Sequence, residues 1–218
     1  MKVSTDACIQ GAWTPIPMKA KRIIDVGTGT GLLSLMMAQR CEQAQVEALE
    51  VDESAFSQAT ENFSLSPWNS RLSCTLADAR NYTTTEQVDL IICNPPFFSN
   101  SLKSPDPSRT TARHNDSFSL LDLFSFLKQN LHSFGIASIL LPATEHKQWE
   151  ALVLQQKWVF QSQLIICAKE GQEPNRIVSV CSRRFVGDVQ KETLSIHHQD
   201  GNYTNDFKKL LQPFYLYF

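Results

Sequence analysis

The sequence predicts an α/β protein with an open, mostly parallel sheet and helices on both faces. Short apolar runs alternate with stretches of helical periodicity, and a glycine-rich turn joins the first run to the first periodic stretch. Two long runs rich in Val and Ile near the C-terminus add a mixed edge. With 218 residues, the chain is long enough for a full core, so we expect a single domain over residues 1–218.

Composition favours a soluble, cytoplasmic protein, and we expect a monomer. Hydrophobic residues make up 42% of the chain, and no apolar stretch approaches the roughly 18 residues that span a bilayer. No charged-then-apolar leader is visible. The six cysteines form no CxxC pair, so reduced thiols are favoured over disulfides or zinc ligands, and no metal is expected. The net charge of −2 argues against nucleic-acid binding over the whole surface, so local charge matters more.

The first unit is a strand over residues 22–26, a GxGxG turn over residues 27–31 and a helix over residues 32–39. The GxGxG spacing favours a nucleoside cofactor without a pyrophosphate over the dinucleotide that GxGxxG binds. Asp25 ends the strand and supplies a carboxylate suited to an ammonium group or a water network. The alternative is an ordinary tight turn. The predicted cofactor-binding residues here are Asp25, Gly27, Thr28, Gly29 and Gly31.

The second and third strands end in further candidates. Glu50 closes the strand predicted over residues 45–52, 19 residues after Gly31, which suits an acceptor for the ribose hydroxyls. Val51 would pack beside the base. The alternative for Glu50, capping the helix over residues 55–63, fits Asp52 or Glu53 better. The strand over residues 71–76 leads to Asp78, which either accepts from an amino group of the base or is a plain turn residue.

Asn94-Pro95-Pro96-Phe97 directly follows the apolar strand predicted over residues 88–93. Two prolines fix φ and remove two backbone donors, so carbonyl acceptors remain, and the Asn94 side chain adds one more. Such a set suits a planar amine or amide, with Phe97 as an aromatic face beside it. The alternative is a turn with Phe97 as core filling. Cys93 adjoins this motif without an evident base.

Two groups of basic residues stand out, and the first is a candidate for phosphate binding. The polar connection over residues 99–114 contains Lys103, Arg109, Arg113 and His114, and long loops of this kind are often functional. Arg176, Arg183 and Arg184 flank or lie on a predicted strand over residues 176–185. The alternative for both groups is a solvated surface, and His114 is equally suited to a structural hydrogen bond.

The rest of the chain completes the alternation. Helices are predicted over residues 117–131, capped by Ser117, over residues 144–157, beginning with Thr144, and over residues 204–211. Strands are predicted over residues 135–141, 159–169 and 176–185, the last two forming an antiparallel hairpin. Residues 191–196 form a further strand or an ordered tail. The terminal aromatic residues are expected to pack on the core or its edge.

These motifs occur in the order seen in class I methyltransferases dependent on S-adenosylmethionine, and the Asn-Pro-Pro-Phe motif resembles their amino-methylating subset. The chain also resembles a narrower family, the bacterial enzymes that methylate N6 of an adenine beside the anticodon of a valine tRNA. The stretches that support the narrower resemblance are residues 1–6, 11–15, 112–115 and 214–216.

The resemblance implies a Rossmann-like class I methyltransferase fold with a seven-stranded mixed sheet. It implies S-adenosylmethionine as cofactor, S-adenosylhomocysteine as product, a tRNA partner and position 37 as target. It adds Lys2, Thr5, Ala79 and Asn94 to the cofactor residues and makes Asn94, Pro95, Pro96 and Phe97 catalytic. In the family a segment rich in aromatic and basic residues precedes the stretch that matches residues 2–6. The sequence starts at that stretch, so we expect an N-terminal truncation that removes part of the cofactor lid and RNA surface.

Related enzymes with the same tetrapeptide leave alternatives open. They methylate guanine N2 in rRNA, adenine in DNA or the glutamine amide of release factors. A different class of alternative is a catalytically silent RNA-binding protein of the same fold. The glycines, Glu50 and Asn94 disfavour that alternative, because a silent protein has no need of them.

Overall fold

The computed structural model describes residues 4–95, 118–185 and 187–218. Within these residues the strands are β1 (Arg22–Val26), β2 (Gln45–Glu50), β3 (Leu72–Leu76), β4 (Val88–Cys93), β5 (Leu131–Pro142), β6 (Val159–Lys169), β7 (Arg176–Ser182) and β8 (Gln190–His197). The helices are α1 (Thr5–Trp13), α2 (Leu32–Arg40), α3 (Glu53–Leu65), α4 (Leu120–Asn130), α5 (Ala143–Gln155) and α6 (Asn205–Leu211).

All eight described strands form one sheet in the order β3-β2-β1-β4-β5-β7-β6-β8. Strands β1 to β5 run parallel, and β7 pairs antiparallel with β5 and β6. The mixed sheet and the β6–β7 hairpin are therefore confirmed. The strand order reverses between β1 and β4, and in open α/β sheets ligands bind in the crevice at such a point.

The expected number of seven strands is wrong, because residues 190–197 add an eighth. The sequence allows either a strand or an ordered tail here, and the segment forms a strand that pairs in parallel with β6. Its outer half is exposed, but Leu194 and Ile196 are buried against Phe207 and Leu211 of α6. The apolar contact with α6 explains why the segment joins the sheet.

Alternate residues of the central strands point to two apolar layers, as the pleat requires. On β4, Ile91 and Cys93 pack in a cluster with the buried side chains of α4 and α5. Leu90 and Ile92 pack in the opposite cluster with residues of α1 and α2. Helices therefore cover both faces of β4, and this burial explains its continuous apolar run.

The helix starts show which predicted caps form. Asp52 caps α3 by accepting a hydrogen bond from Ala55 N, as expected. Thr204, expected as the first helical residue, is instead the cap of α6. Helix α4 begins at a capping box of Ser119 and Asp122, so the predicted cap Ser117, which lies outside the described residues, is wrong. Helix α5 starts directly after Pro142, which places Thr144 inside the helix.

Helix α1 was not predicted. Ser4 caps it by accepting from Ala7 N, and its buried face packs on α2 and the central strands. In the described parts of the chain, every helix falls short of the length and apolar character needed to cross a bilayer.

Candidate functional site

The site forms where β1 and β4 end side by side. Val26 and Cys93 are register partners, so Gly27 and Asn94 leave the same edge of the sheet on neighbouring strands. Neighbouring strands lie about 4.8 Å apart, which places the glycine turn next to the start of the Asn-Pro motif. The strand-order reversal falls at this same pair.

The glycine turn is held by main-chain hydrogen bonds to β2. Leu49 O accepts from Gly27 N at 2.9 Å and from Thr28 N at 3.1 Å. Gly31 has φ +86°, and a Cβ built there would lie 2.4 Å from the Phe63 ring of α3, so only glycine fits. The hydrogen bonds to β2 and the close contact with α3 therefore hold the turn in a single conformation.

Asp25 is a buried carboxylate beneath this turn. Its Oδ2 accepts from Thr28 Oγ1 at 2.5 Å and from Ser34 N and Oγ at 3.1 and 2.8 Å. Its Oδ1 has no hydrogen-bond partner among the described residues. Burial, with a smaller contribution from the Glu50 charge, raises the pKa of Asp25 to about 6, against the lowering effect of the hydrogen bonds from Thr28 and Ser34.

Ser34, which the sequence interpretation missed, supplies two of the three bonds to Asp25. It is a polar residue in the buried first turn of α2, three residues after Gly31. A serine facing the core directly behind a glycine turn was the available signal.

Glu50 links the end of β2 to the glycine turn. Its Oε2 accepts from Gly29 N at 2.8 Å, and its Oε1 accepts from Val51 N at 2.8 Å and Asp52 N at 3.0 Å. A carboxylate offers about four lone-pair positions, so these three bonds leave one for a further donor. Because Asp52 caps α3, the alternative helix-capping role for Glu50 is wrong.

An apolar surface flanks Glu50 at the carboxyl edge. Val51 is 70% exposed, and Leu76, which was not predicted as a site residue, is 47% exposed. Asp78 caps the short turn Ala79–Asn81, and its carboxylate accepts a fork of bonds from Arg80 at 2.5 to 3.0 Å. These bonds lower the pKa of Asp78. Asp78 is therefore a turn residue. A hydrogen bond from the amino group of a base would have to be accepted by a carboxylate that is already bound to Arg80.

Asn94 is half-buried and Pro95 is buried at the end of β4. The residue before them, Cys93, is fully buried, and burial raises the pKa of its thiol well above the usual value, with Asp25 adding to the shift. A neutral, enclosed thiol is a poor nucleophile, so Cys93 acts as core. The Cys93 carbonyl accepts from the Gln10 side chain, a contact that the sequence did not indicate.

The start of α1 reaches the same edge of the sheet. Thr5 is exposed there, and the neighbouring Asp6 pairs with Arg176 Nε at 3.2 Å at the start of β7. Arg183, beyond the other end of β7, donates to Lys128 O and Leu131 O at the end of α4. Arg176 and Arg183 therefore flank β7 at its opposite ends and do not form a single basic cluster.

Several predicted site residues lie outside the described residues. They are Lys2, Pro96, Phe97, Lys103, Arg109, Arg113 and His114. In the ranges that are described, no group of three or more His, Cys, Asp and Glu side chains is arranged to hold a metal ion.

Comparison with known proteins places the chain among methyltransferases. Residues 12–108 match the family "Methyltransferase small domain". A tRNA1(Val) (adenine(37)-N6)-methyltransferase of Bacteroides fragilis is 39% identical over 99% of this chain and 91% of its own length. The enzyme of the same name from Tolumonas auensis is 38% identical over 99% of this chain and 90% of its length. Among solved structures, a predicted O-methyltransferase from Agrobacterium tumefaciens covers 97% of this chain and 98% of its own, with a TM-score of 0.75 and 17% identity.

The fold is that of class I methyltransferases. Together with the family match and the curated relatives, it defines a class I methyltransferase dependent on S-adenosylmethionine. Within that class, sequence identity of 38–39% over 99% of the chain shows that it belongs to the tRNA1(Val) (adenine(37)-N6)-methyltransferase family.

Proposed function

We propose that the protein transfers a methyl group from S-adenosylmethionine to N6 of an adenine in tRNA, at position 37 beside the anticodon of a valine tRNA. The observation that carries the proposal is the pairing of Val26 with Cys93, which brings the glycine turn and Asn94 out of the sheet side by side. The substrate and the position come from the names of the relatives.

The described residues fit the proposed cofactor. Asp25 Oδ1 is a buried acceptor without a partner in the described residues, suited to an ammonium group or to water bound to it. Glu50 has one lone-pair position left for a ribose hydroxyl. Val51 and Leu76 present exposed apolar surface beside it, on which a base would bury apolar area. Asp25, Glu50 and the apolar surface thus suit the amino-acid, ribose and base parts of the cofactor, respectively.

When bound, S-adenosylmethionine supplies a methyl group on a positively charged sulfur, which is a strong electrophile without help from a metal. The protein's task is then to improve a poor nucleophile, because the N6 lone pair of adenine is delocalised into the ring. Asn94 Oδ1 and the Pro95 carbonyl would accept hydrogen bonds from the amino group, localise its lone pair and aim it. Orientation of this kind supplies roughly 7–11 kcal/mol at best.

No general base has to act before the attack, because the amino group becomes acidic as its bond to carbon forms and then releases one proton to water. Phe97 is proposed to stack on the extruded base, as aromatic side chains do in enzymes that act on unstacked bases. Lys103, Arg109, Arg113 and His114 are proposed to hold phosphates of the RNA. These roles rest on the motif and on the resemblance.

The proposal is tested by incubating the protein with labelled S-adenosylmethionine and unmodified transcripts of the valine tRNA. Parallel reactions contain total unmodified RNA, DNA and a release-factor protein. Nucleoside and peptide mass analysis should find N6-methyladenine in the tRNA, and the label should disappear when adenine 37 of the transcript is replaced by guanine.

Label in guanine N2 or in a glutamine amide would replace the proposed substrate while keeping the enzyme class. An absence of transfer to every substrate, with S-adenosylmethionine still bound in calorimetry, would favour a silent RNA-binding protein. The Asn94→Ala variant is the internal control, because it removes the acceptor and keeps the residues that fit the cofactor.

A further inference from the structure

A buried glutamine contacts the last residue of β4, directly before Asn94. Gln10, on α1, is fully buried, and its Nε2 donates to Cys93 O at 3.1 Å and to Ser138 O at 3.0 Å. These carbonyls belong to β4 and β5, which are neighbours in the sheet, and they lie 83 and 128 residues from Gln10 in the chain. One side-chain amide therefore joins two strands at the edge where the site forms.

The Cys93 carbonyl belongs to the peptide group that joins Cys93 to Asn94. A peptide group is planar, so a hydrogen bond to its oxygen also restrains its nitrogen and the direction in which the next residue leaves. The pairing of β4 with β5 ends at Cys93 and Ile139, while β5 continues beside β7 to Pro142. Gln10 thus restrains β4 at the point where its pairing with β5 stops.

The orientation of the Gln10 amide follows from its partners. Only Nε2 carries two hydrogens, and both neighbours are carbonyl oxygens, so the reversed amide would set oxygen against oxygen. Gln10 Oε1 is buried and has no partner within the described residues. An unpaired buried acceptor costs stability, so packing alone would favour an apolar side chain at this position.

The neighbours of Gln10 hold it in place. Ser138 Oγ lies 3.5 Å from its Nε2 and 2.6 Å from Thr14 Oγ1, one turn further along the chain. A Cβ built on Gly11 would lie 2.5 Å from Met36 Sδ, so α1 and α2 are in close contact next to Gln10. The amide is therefore fixed in position before any substrate binds.

We propose that Gln10 is a positioning residue for methyl transfer: by holding the Cys93–Asn94 peptide group against β5, it sets the direction in which Asn94 presents its acceptor. The inference rests on the proposed function, because Gln10 acts through Asn94 and touches neither the donor nor the base. A small error in the direction of an orienting group is enough to slow a reaction about 100-fold.

The test is the Gln10→Met variant, which keeps the length of the side chain and removes both donors. Its kcat with the tRNA should fall about 10- to 100-fold, while the Kd for S-adenosylmethionine and the KM for tRNA stay within about threefold. The matched control is Asn130→Leu, which also removes a buried side-chain amide, one that joins Thr84 N and Phe126 O away from Asn94. Its kcat should stay within about threefold of the unaltered enzyme. Equal kcat values in the two variants would overturn the inference.

A double-mutant cycle separates positioning from general support of the fold. If Gln10 acts through Asn94, adding Gln10→Met to Asn94→Ala should lower kcat by less than about twofold. A further fall as large as that of Gln10→Met alone would overturn the inference. If Asn94→Ala leaves kcat unchanged, the proposed role of Asn94 fails, and the inference fails with it. If Asn94→Ala is impaired and Gln10→Met is not, only the inference fails.

The Gln10→Glu variant keeps the test decisive where Gln10→Met does not fold. A buried carboxyl group stays protonated and donates one hydrogen bond in place of two. Its kcat should lie between those of Gln10→Met and the unaltered enzyme, with unchanged affinity for S-adenosylmethionine. A kcat equal to that of the unaltered enzyme would overturn the positioning role.

Discussion

The site has a cofactor half, formed by the glycine turn and Glu50, and an acceptor half, formed by Asn94 and Pro95. A buried polar cluster supports each half, and the two clusters differ in charge and in the sequence separation of their hydrogen-bonded residues. The turn cluster (Asp25, Thr28, Ser34, Glu50) is built on two carboxylates. Asp25 finds its partners three and nine residues away, and Glu50 reaches back 21 residues to Gly29. The strand-end cluster (Gln10, Thr14, Ser138) is neutral, and its bonds join residues 83 to 128 positions apart.

The difference follows from the task of each half. The turn cluster sits where a positively charged cofactor is proposed to bind, so buried negative charge is useful there, and the pKa of Asp25 is raised to about 6. The strand-end cluster has to aim a neutral acceptor, so direction matters more than charge. Local sequence is sufficient to build the first cluster, whereas the second exists only once the fold has formed.

The largest expected effect is on the acceptor half. Asn94→Ala should lower kcat about 100-fold or more, because the amino group loses the acceptor that orients it. The Kd for S-adenosylmethionine should stay near that of the unaltered enzyme, since Asp25, Glu50 and the glycine turn are unchanged. Single-turnover kinetics and calorimetry measure the two quantities. A matching loss of cofactor affinity would show that the two halves are not separate.

The next effect concerns the rigidity of the glycine turn. Gly31→Ala forces a side chain into φ +86° and against the Phe63 ring, and it should lower the free energy of unfolding by about 2–4 kcal/mol. Gly201 is the matched control, because it has φ +90° with nothing within 4 Å of a built Cβ. Gly201→Ala should cost only the backbone strain, about 1–2 kcal/mol. Equal losses in urea unfolding would mean that the contact with Phe63 does not fix the turn.

The fold was predictable where the chain repeats a local pattern. The strands from β1 to β4 and the β6–β7 hairpin follow apolar runs bounded by turn residues, and each formed close to its predicted limits. Helix α1 was missed because its buried face mixes small, polar and apolar residues, which hides the helical periodicity. The sequence does not distinguish a strand from a tail at β8, because half of this segment is exposed. Only the contact with α6 makes it a strand.

The site divides in the same way. Asp25 and Glu50 could be selected from the sequence because they stand at fixed distances from the glycine turn. Gln10 could not, because its partners Cys93 and Ser138 are brought to it only by the order of the strands. Asp78 was equally open between two roles, and its fork of bonds to Arg80 depends on the shape of the turn.

The charge of the turn cluster predicts a pH dependence of cofactor binding. The pKa of Asp25 is about 6 in the free protein, and a positively charged ligand favours its ionised form. Affinity should therefore rise as pH increases through 6 and level off above it, with binding about tenfold weaker at pH 5 than at pH 7. Calorimetry across this range measures it. Asp25→Asn should remove the dependence, and a dependence that persists in this variant would assign it to another group.

The smallest effect concerns the apolar surface beside Glu50. Val51→Ser should weaken S-adenosylmethionine binding about three- to tenfold, because the base would lose apolar contact, and should leave the melting temperature nearly unchanged at a position that is 70% exposed. Leu65→Ser is the matched control, since Leu65 is 79% exposed at the end of α3. The control should bind as the unaltered enzyme does. If Val51→Ser binds equally well, the base does not rest on this surface, and the cofactor half depends on its polar contacts alone.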